Sequence, residues 1–188
     1  MQRCSWAGTD AIYVAYHDQE WGRPLSDEQK LYEFLTLETF QAGLSWITIL
    51  KKRDNFRLAF DEFDIEIVAN YGQRKIDELL QNAGIIRNKL KIYSAVNNAQ
   101  KFLEVQEEFG SFHAYSMQFV GGEPKINQWK TNADVPATTK ESDAFSKDLK
   151  KRGFKFVGST VVYSHMQATG MVMDHLVNCF RHQELTKA

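Results

Sequence analysis

The stretch RKIDELLQNAGIIRNKLKIYSAVNNAQKFLEVQEEF, residues 74–109, decides the fold. In its second half the apolar residues from Ile92 to Leu103 recur at the i, i+3, i+4, i+7 spacing of a buried helical stripe. This spacing predicts a helix over 88–109. A short turn at 82–87 separates it from a second helix predicted over 74–81, so the stretch is predicted to form a helix, a turn and a helix.

Helical periodicity continues on both sides of this pair. The run Ser26-Asp27-Glu28-Gln29 is typical of a capping box that opens a helix, whose apolar face then carries Leu31, Phe34 and Leu35. Glu38 falls on that same face. Strand signal is nearly absent, so the fold class is all-α, in a single domain over 1–188. Further helices are predicted over 45–52, 55–60, 65–70, 111–120, 142–152 and from 158 onward.

Composition narrows the class of protein. A chain of 188 residues that is 43% hydrophobic suits one compact domain. No run approaches the roughly 18 apolar residues of a membrane span, and the first four residues lack the apolar core of a signal peptide. We therefore expect a cytoplasmic protein without a membrane partner. No leftover apolar helical face is evident, so a monomer is the expectation.

Charge gives a weaker indication. The net charge of -1 argues mildly against indiscriminate binding of nucleic acid, because a bulk DNA binder carries a basic excess. Basic residues nevertheless cluster at 51–53, 87–91 and 150–152.

A metal site can be drawn from the two ends of the chain. His175 and Cys179 are four residues apart, which would place an imidazole and a thiolate on one face of a helix. Cys4 and His17 would complete a tetrahedral set, and four protein ligands leave no position for substrate, so the ion would be structural. The alternative is that two buried cysteines and two ordinary histidines merely coincide. The spacing leaves both interpretations open.

The turn at 82–87 is a candidate for phosphate binding. Backbone amides at the start of a helix, at the positive end of its dipole, bind phosphate whatever the base sequence. Arg87, Lys89 and Lys91 would add positive charge. The alternative is an ordinary helical hairpin in which Gly84 ends the first helix.

Glu38 is the most informative single residue. A carboxylate on an apolar helical stripe is costly to bury unless it gains partners or takes up a proton. Flat rings together with one acceptor suit a pocket that stacks an extruded base and reads its edge. The alternative is an aromatic core in which Glu38 pairs with an internal Lys or Arg. The aromatic residues concentrated near it in sequence are Trp6, Tyr13, Tyr16, Trp21, Phe40 and Trp46.

Several segments, spread over nearly the whole chain, carry a resemblance to a known family. They are RCSW at 3–6, YHDQEWG at 16–22, LE at 37–38, QAGLSWIT at 41–48, AGIIR at 83–87, KKRGFKFVG at 150–158 and DH at 174–175. Together they resemble the 3-methyladenine DNA glycosylase I family of the helix-hairpin-helix glycosylase superfamily. The resemblance implies a helix-hairpin-helix over about 74–109.

The resemblance also implies one structural zinc ion. Its ligands would be Cys4, His17, His175 and Cys179, in terminal segments that span 1–21 and 170–182.

Roles for the pocket residues follow from the same resemblance. Glu38 would be the catalytic residue and would hydrogen-bond the methylated adenine, while Tyr16 and Trp46 stack on it. The pocket wall would be shaped by Trp6, Tyr13 and Trp21. Contacts to DNA would come from Gln41, Gly43, Leu44, Gly84, Arg87 and Lys89.

The activity that the resemblance implies is base-excision repair. Double-stranded DNA containing alkylated adenine would be the partner, and the flipped 3-methyladenine would be released by hydrolysis of its N-glycosidic bond. Most of the superfamily places an aspartate after the hairpin, whereas no Asp occurs between Asp77 and Asp134, an absence that the family shares.

Two alternatives to this activity stay open. One is a bifunctional glycosylase and lyase in which Lys89 attacks the sugar as an amine. The other is a zinc-stabilised DNA-binding module without catalysis, whose aromatic residues form a core.

Overall fold

The structure, a computed structural model, describes residues 1–186 and consists of ten α-helices with one short pair of strands. The strands β1 (Lys125–Ile126) and β2 (Val172–Met173) are parallel, with Lys125 opposite Val172. The all-α class is thus confirmed apart from this pair. The helices are α1 (Ala11–Gln19), α2 (Glu28–Gln41), α3 (Trp46–Ala59), α4 (Ile65–Ala69), α5 (Gln73–Gln81), α6 (Lys89–Phe109), α7 (Phe112–Met117), α8 (Lys140–Lys151), α9 (Ser159–Ala168) and α10 (Phe180–Leu185).

The long helix α6 lies at the centre of the fold, as its periodicity predicts. Its apolar stripe, which includes Ile92, Ala99 and Phe102, is buried up to Leu103, which is half-buried. The helix begins where the side chain of Asn88 accepts a hydrogen bond from a first-turn amide, and it ends at Gly110, which adopts a left-handed φ of 82°. These caps place the predicted helix over 88–109 within one residue of its observed bounds.

The start of α2 differs from the predicted capping box. Asp27, not Ser26, is the N-cap, and its carboxylate accepts a hydrogen bond from the amide of the third helical residue. Glu28 turns away from its own helix. Its carboxylate accepts the backbone N–H groups of Phe112 and His113, at 2.7 and 2.9 Å, and so ties α2 to the start of α7.

One helix, α3, replaces the two helices predicted over 45–52 and 55–60. A charged residue that interrupts the apolar pattern there has a structural role inside the fold. Arg53 is buried, and its guanidinium donates to Glu33 and Glu20, both at 2.7 Å. A buried cation requires such partners. Arg53 therefore lies within one continuous helix and does not mark a break between two helices.

The prediction that His175 and Cys179 lie on one face of a helix is also wrong. The last predicted helix ends at Ala168, and the chain then turns through Gly170 with a φ of 72°. A Cβ atom at this glycine would lie 2.3 Å from the backbone carbon of Arg23, so the tight turn requires glycine. Residues 174–179 form an irregular turn, and Cys179 is the N-cap of α10.

Within residues 1–186, no helix is long and apolar enough to cross a membrane.

A buried histidine on α9 gives a testable dependence of stability on pH. His165 is fully buried, and neither ring nitrogen has a hydrogen-bond partner among residues 1–186. Burial lowers its pKa to about 3. Below about pH 6.5 the unfolded chain takes up a proton that the native chain refuses, so the free energy of unfolding falls as the pH falls.

We expect this group to cost about 2 kcal/mol of stability at pH 5 relative to pH 8. Urea denaturation of the protein and of His165→Leu at both pH values isolates the effect, because only the protein with the histidine carries it. Equal losses of stability in both proteins would contradict the assignment.

Candidate functional site

A cavity of about 390 Å³ lies between α1, α2, α3 and α9. Its volume is within the range of pockets that bury a small organic ligand. The structure brings all of the predicted base-contact residues to its wall, although they are spread over the first 46 positions of the chain. These residues are Trp6, Tyr13, Tyr16, Trp21, Glu38 and Trp46, with Gln41 beside them.

The carboxyl group of Glu38 lies in this wall, in the last turn of α2. The residue is 4% exposed, and burial raises its pKa to about 8. The interpretation in which Glu38 pairs with an internal cation is wrong, because among the described residues the buried Arg53 pairs with Glu20 and Glu33 instead. The indole N–H of Trp46 is likewise buried without an acceptor in residues 1–186. The cavity therefore offers a carboxyl group that the protein itself does not pair.

Two aromatic rings of the cavity wall are inclined to each other. The ring centroids of Tyr16 and Trp46 are 5.5 Å apart, with 50° between their planes. A base held between two parallel rings needs about 7 Å between them, since each stacked contact takes about 3.5 Å. In this conformation a base that lies flat on one of these rings meets the other at an angle. Trp6 contacts both Tyr13 and Trp21, with centroids 5.2 and 4.9 Å away.

The opposite wall of the cavity was not identified from the sequence. Its best-anchored member is Asp174, a buried residue whose side chain accepts four hydrogen bonds. Asn127 and Trp129 donate to one oxygen at 2.7 and 2.8 Å, and Tyr163 and Gln167 donate to the other. Asp174 thereby ties the irregular segment at 127–137 to α9. The segment DH at 174–175 contains this residue but gives no sign of its partners. The remaining residues of this wall are Asn132, Val135, Pro136, Ala137, Thr160 and Ser164.

A buried cluster of two cysteines and two histidines lies beside the cavity. The ligand atoms of Cys4, His17, His175 and Cys179 all lie within 4.8 Å of one another. Three of the four sulfur–nitrogen distances are 3.7, 3.5 and 3.6 Å. An ion about 2.3 Å from sulfur and about 2.0 Å from nitrogen separates such atoms by about 3.6 Å when its coordination is tetrahedral. The cluster fits a tetrahedral metal ion.

The groups around the cluster orient both imidazoles. Nδ1 of His17 donates to Asp18 at 2.8 Å, and Nε2 of His175 donates to the carbonyl of Trp21 at 2.9 Å. Each ring therefore directs its unprotonated nitrogen to the cluster, as metal-binding histidines do. The pKa of the Cys179 thiol lies far below its ordinary value because the thiol of Cys4 donates a hydrogen bond to it. Cysteine binds metal as the thiolate.

Helix α3 braces the turn that precedes α6. Lys52 and Asn55 donate side-chain hydrogen bonds to the carbonyl of Gly84, at 3.3 and 3.4 Å. The amide of Gly84 donates to the side chain of Asn82 at 2.8 Å. The conformation of the turn is thus fixed by hydrogen bonds from α3 and by one hydrogen bond within the turn itself.

The same turn presents unused donors to the surface. Among residues 1–186 there is no acceptor for the N–H groups of Ile86, Arg87, Lys89 and Leu90. The side chains of Arg87 and Lys89 are exposed at this helix start. The free amides and the exposed cations are thus available here, and phosphate binding by this turn stays a prediction.

Lys91 does not belong to that positive surface, contrary to the prediction. It is 7% exposed, and its ammonium donates to the carbonyls of Phe40 and Ala42, at 2.9 and 2.6 Å. These carbonyls end α2 one turn beyond Glu38. Lys91 therefore connects the start of α6 to the loop at 42–45.

Replacing Lys91 with methionine should destabilise the protein by about 2 to 3 kcal/mol, because two partly buried carbonyls lose their donor. Lys89→Met is the matched control, since Lys89 is exposed two residues away, and its stability should match that of the unaltered protein. Urea denaturation measures both. Equal stability of the two variants would show that Lys91 is not the cap of α2.

The loop at 42–45 stands at the mouth of the cavity. The side chain of Gln41 lines the cavity and donates to the carbonyl of Leu44 at 3.1 Å. Gly43 adopts a left-handed φ of 84°, and the side chain of Leu44 is 40% exposed. The structure thus places an apolar side chain at the rim.

An aromatic cavity with an unpaired buried carboxyl group is typical of enzymes that draw a base out of DNA. The family described as methyladenine glycosylase matches residues 6–182. The chain belongs to this family.

Individual relatives agree with this assignment. The chain is 48% identical over 179 residues to DNA-3-methyladenine glycosylase 1 of Escherichia coli, covering 95% of this chain and 96% of that one. It is 45% identical to DNA-3-methyladenine glycosylase of Haemophilus influenzae, covering 94% and 96%. A solved structure of 3-methyladenine DNA glycosylase I from Staphylococcus aureus, which describes 3-methyladenine recognition, is 38% identical, with a TM-score of 0.92 and 96% of each chain covered.

Proposed function

We propose that this protein is a base-excision repair enzyme that hydrolyses the N-glycosidic bond of 3-methyladenine in alkylated double-stranded DNA, without cutting the strand. One observation carries the proposal: the carboxyl group of Glu38 is unpaired in an aromatic cavity, and its pKa is raised to about 8. The shared family and the names of the relatives support the same activity.

The charge of the damaged base suits this carboxyl group. Methylation at N3 leaves adenine formally cationic while it is bound to the sugar. An opposite charge lowers the pKa of a buried carboxyl group. A bound cationic base therefore favours the ionised form of Glu38, which accepts a hydrogen bond from the adenine edge. Unmodified adenine is neutral and brings no such compensation, so the pocket disfavours it.

The chemical step needs little acid catalysis, because the cationic base leaves as a neutral molecule. The enzyme supplies the energy of extrusion, a few kcal/mol that is smaller for a damaged base. Water then attacks the sugar carbon as an oxocarbenium-like state develops. Tyr16 and Trp46 hold the base, and Trp6, Tyr13 and Trp21 close the wall around it.

The surface around the cavity suits a DNA backbone. The free amides at the start of α6, with Gly84, Arg87 and Lys89, form the proposed phosphate contact of a helix-hairpin-helix. Gly43 and Leu44 would enter the gap that the flipped nucleotide leaves, with Gln41 beside them.

The cluster at Cys4, His17, His175 and Cys179 is proposed to hold one structural zinc ion. Four ligands close the coordination sphere, so the metal takes no part in the reaction. When bound, it supplies folding energy at the junction of the two terminal segments. A monomer binding one duplex is the proposed working form.

The two alternatives are less well supported. Lys89 lies outside the cavity wall, and its ammonium is 5.9 Å from the ring centroid of Tyr93, so a lyase step through it has no geometric support. A module without catalysis gives no reason for an unpaired carboxyl group in a cavity.

Release of base from methylated duplex DNA tests the proposal. The purified, metal-analysed protein should liberate free 3-methyladenine, identified by chromatography, and leave the strands uncut. Unmethylated duplex is the control and should release nothing. A protein–DNA adduct trapped by borohydride would point to the lyase instead, and no release from folded, metal-loaded protein would favour the binding module.

A further inference from the structure

The loop between α8 and α9, residues 152–158, exposes one aromatic side chain. Phe154 and Val157 on either side are buried, whereas Phe156 is 41% exposed. Phe156 also adopts a φ of 55°, in the left-handed region that a bulky residue rarely occupies. An exposed aromatic ring in an unfavourable backbone conformation stabilises neither the core nor the loop, which suggests that the ring serves a contact.

The loop is held firmly from α6. Asn98, which is buried, accepts the N–H of Lys155 at 2.8 Å and donates to its carbonyl at 2.9 Å. The hydroxyl of Ser146 donates to the carbonyl of Val157 at 2.6 Å. Both neighbours of Phe156 are therefore fixed through their backbones, and the ring is directed outward by the fold.

The position of the loop relates it to the cavity. Lys91, which holds the loop at 42–45, and Asn98, which holds this one, are seven residues apart on the same face of α6. That spacing is two turns, or about 10 Å. Thr160 lines the cavity just after the 152–158 loop, and Gln41 lines it just before the other. Each of the two loops thus adjoins, along the chain, a residue that lines the cavity.

Three lysines lie close to Phe156 in sequence. The side chains of Lys150, Lys151 and Lys155 are all exposed. Duplex DNA carries one negative charge per about 1.7 Å of its axis, so a strand crossing the mouth would bring phosphates to these lysines.

We propose that the 152–158 loop is a second DNA-contact surface, in which Phe156 packs against the sugar or base of a nucleotide flanking the flipped one. The inference rests on the proposed function, since it takes the strand to be the substrate. Lys155 contacts the adjacent backbone phosphate.

The variant Phe156→Gly tests the aromatic contact. Glycine adopts a positive φ freely, so the variant should fold with an unreduced Tm. Fluorescence anisotropy with a duplex carrying a stable abasic analogue should show Kd raised about 5- to 10-fold, in the range expected for one lost stacking contact. Binding of free 3-methyladenine, followed by tryptophan quenching, should not change. Phe156→Tyr should keep Kd within about twofold.

The matched control is Leu58→Ala, which removes an exposed apolar side chain at the far end of α3 from Trp46 and should bind DNA as the unaltered protein does. Lys155→Gln should reduce the slope of log Kd against log salt by about one. This second variant keeps the inference testable if Phe156→Gly does not fold.

The outcomes separate the two proposals. If the unaltered protein excises 3-methyladenine and the Phe156 and Lys155 variants match it in Kd and salt slope, the second surface is wrong and the function stands. If the unaltered protein releases no base but the variants still lose affinity for DNA, the surface stands and the proposed function is wrong.

Discussion

Glu38→Gln should excise 3-methyladenine about 100- to 1,000-fold more slowly than the unaltered protein in single-turnover assays, a loss of about 3 to 4 kcal/mol. Glutamine keeps the shape of the side chain and its acceptor oxygen but cannot carry the negative charge that a cationic base favours. The same change removes the cost of burying an acid, so the free energy of unfolding should stay equal or rise, most clearly at pH 8 and above, where glutamate must ionise in the cavity.

Glu33→Gln is the matched control for this prediction. Glu33 is also a buried acid of α2, but it accepts hydrogen bonds from Arg53 and Arg57 at 2.7 and 2.9 Å. Its replacement should lower the Tm, because two cations lose their shared partner. Glu38→Gln should therefore slow excision without lowering stability, whereas Glu33→Gln should lower stability. Excision at the full rate by Glu38→Gln would remove Glu38 from the mechanism.

Cys179→Ala should lose the bound metal and about 5 kcal/mol of stability or more, which lowers the Tm by about 10 °C or more. Three ligands bind zinc far less tightly than four, and the buried partners of the missing sulfur stay behind. Excision should fall as well. Trp6 packs against His17 with ring centroids 5.1 Å apart, and Trp21 packs against His175 at 4.7 Å, so residues of the cluster support the cavity wall.

Metal analysis and calorimetry measure this outcome. His182→Ala is the control, because His182 is a buried histidine close to Cys179 that lies outside the cluster and bonds to the carbonyl of Asn127. It should keep one zinc ion per chain. Normal zinc content and an unchanged Tm in Cys179→Ala would show that the ligand assignment is wrong.

Local periodicity predicted the parts of the fold in which side-chain character and burial coincide. The helix at 88–109 is the best example, since Ile92, Ala99 and Phe102 are both apolar and buried. The four residues of the buried cysteine and histidine cluster could also be named, as a set that the spacing left open and the family resemblance implied.

Charged residues that form hydrogen bonds between elements of the fold could not be predicted in this way. Glu28, Arg53 and Lys91 have sequence surroundings typical of a helix start or a solvated basic run, yet each bonds to an element distant in sequence. The same holds for Asp174, whose four donors are spread from Asn127 to Gln167. Such partners are fixed by tertiary packing, which a local pattern does not record.

The cluster joins the two terminal segments, so it can form only after both segments have been synthesised. Cys4 and His175 are separated by 171 residues, yet their side chains lie 3.7 Å apart. At about 5 to 20 residues per second, a ribosome makes the first pair of ligands about 10 to 30 s before the second. Until then the thiol of Cys4 lacks its partners at His175 and Cys179. The wall of the cavity includes residues from Trp6 to Asp174, so the cavity is complete only after residue 174 has been synthesised.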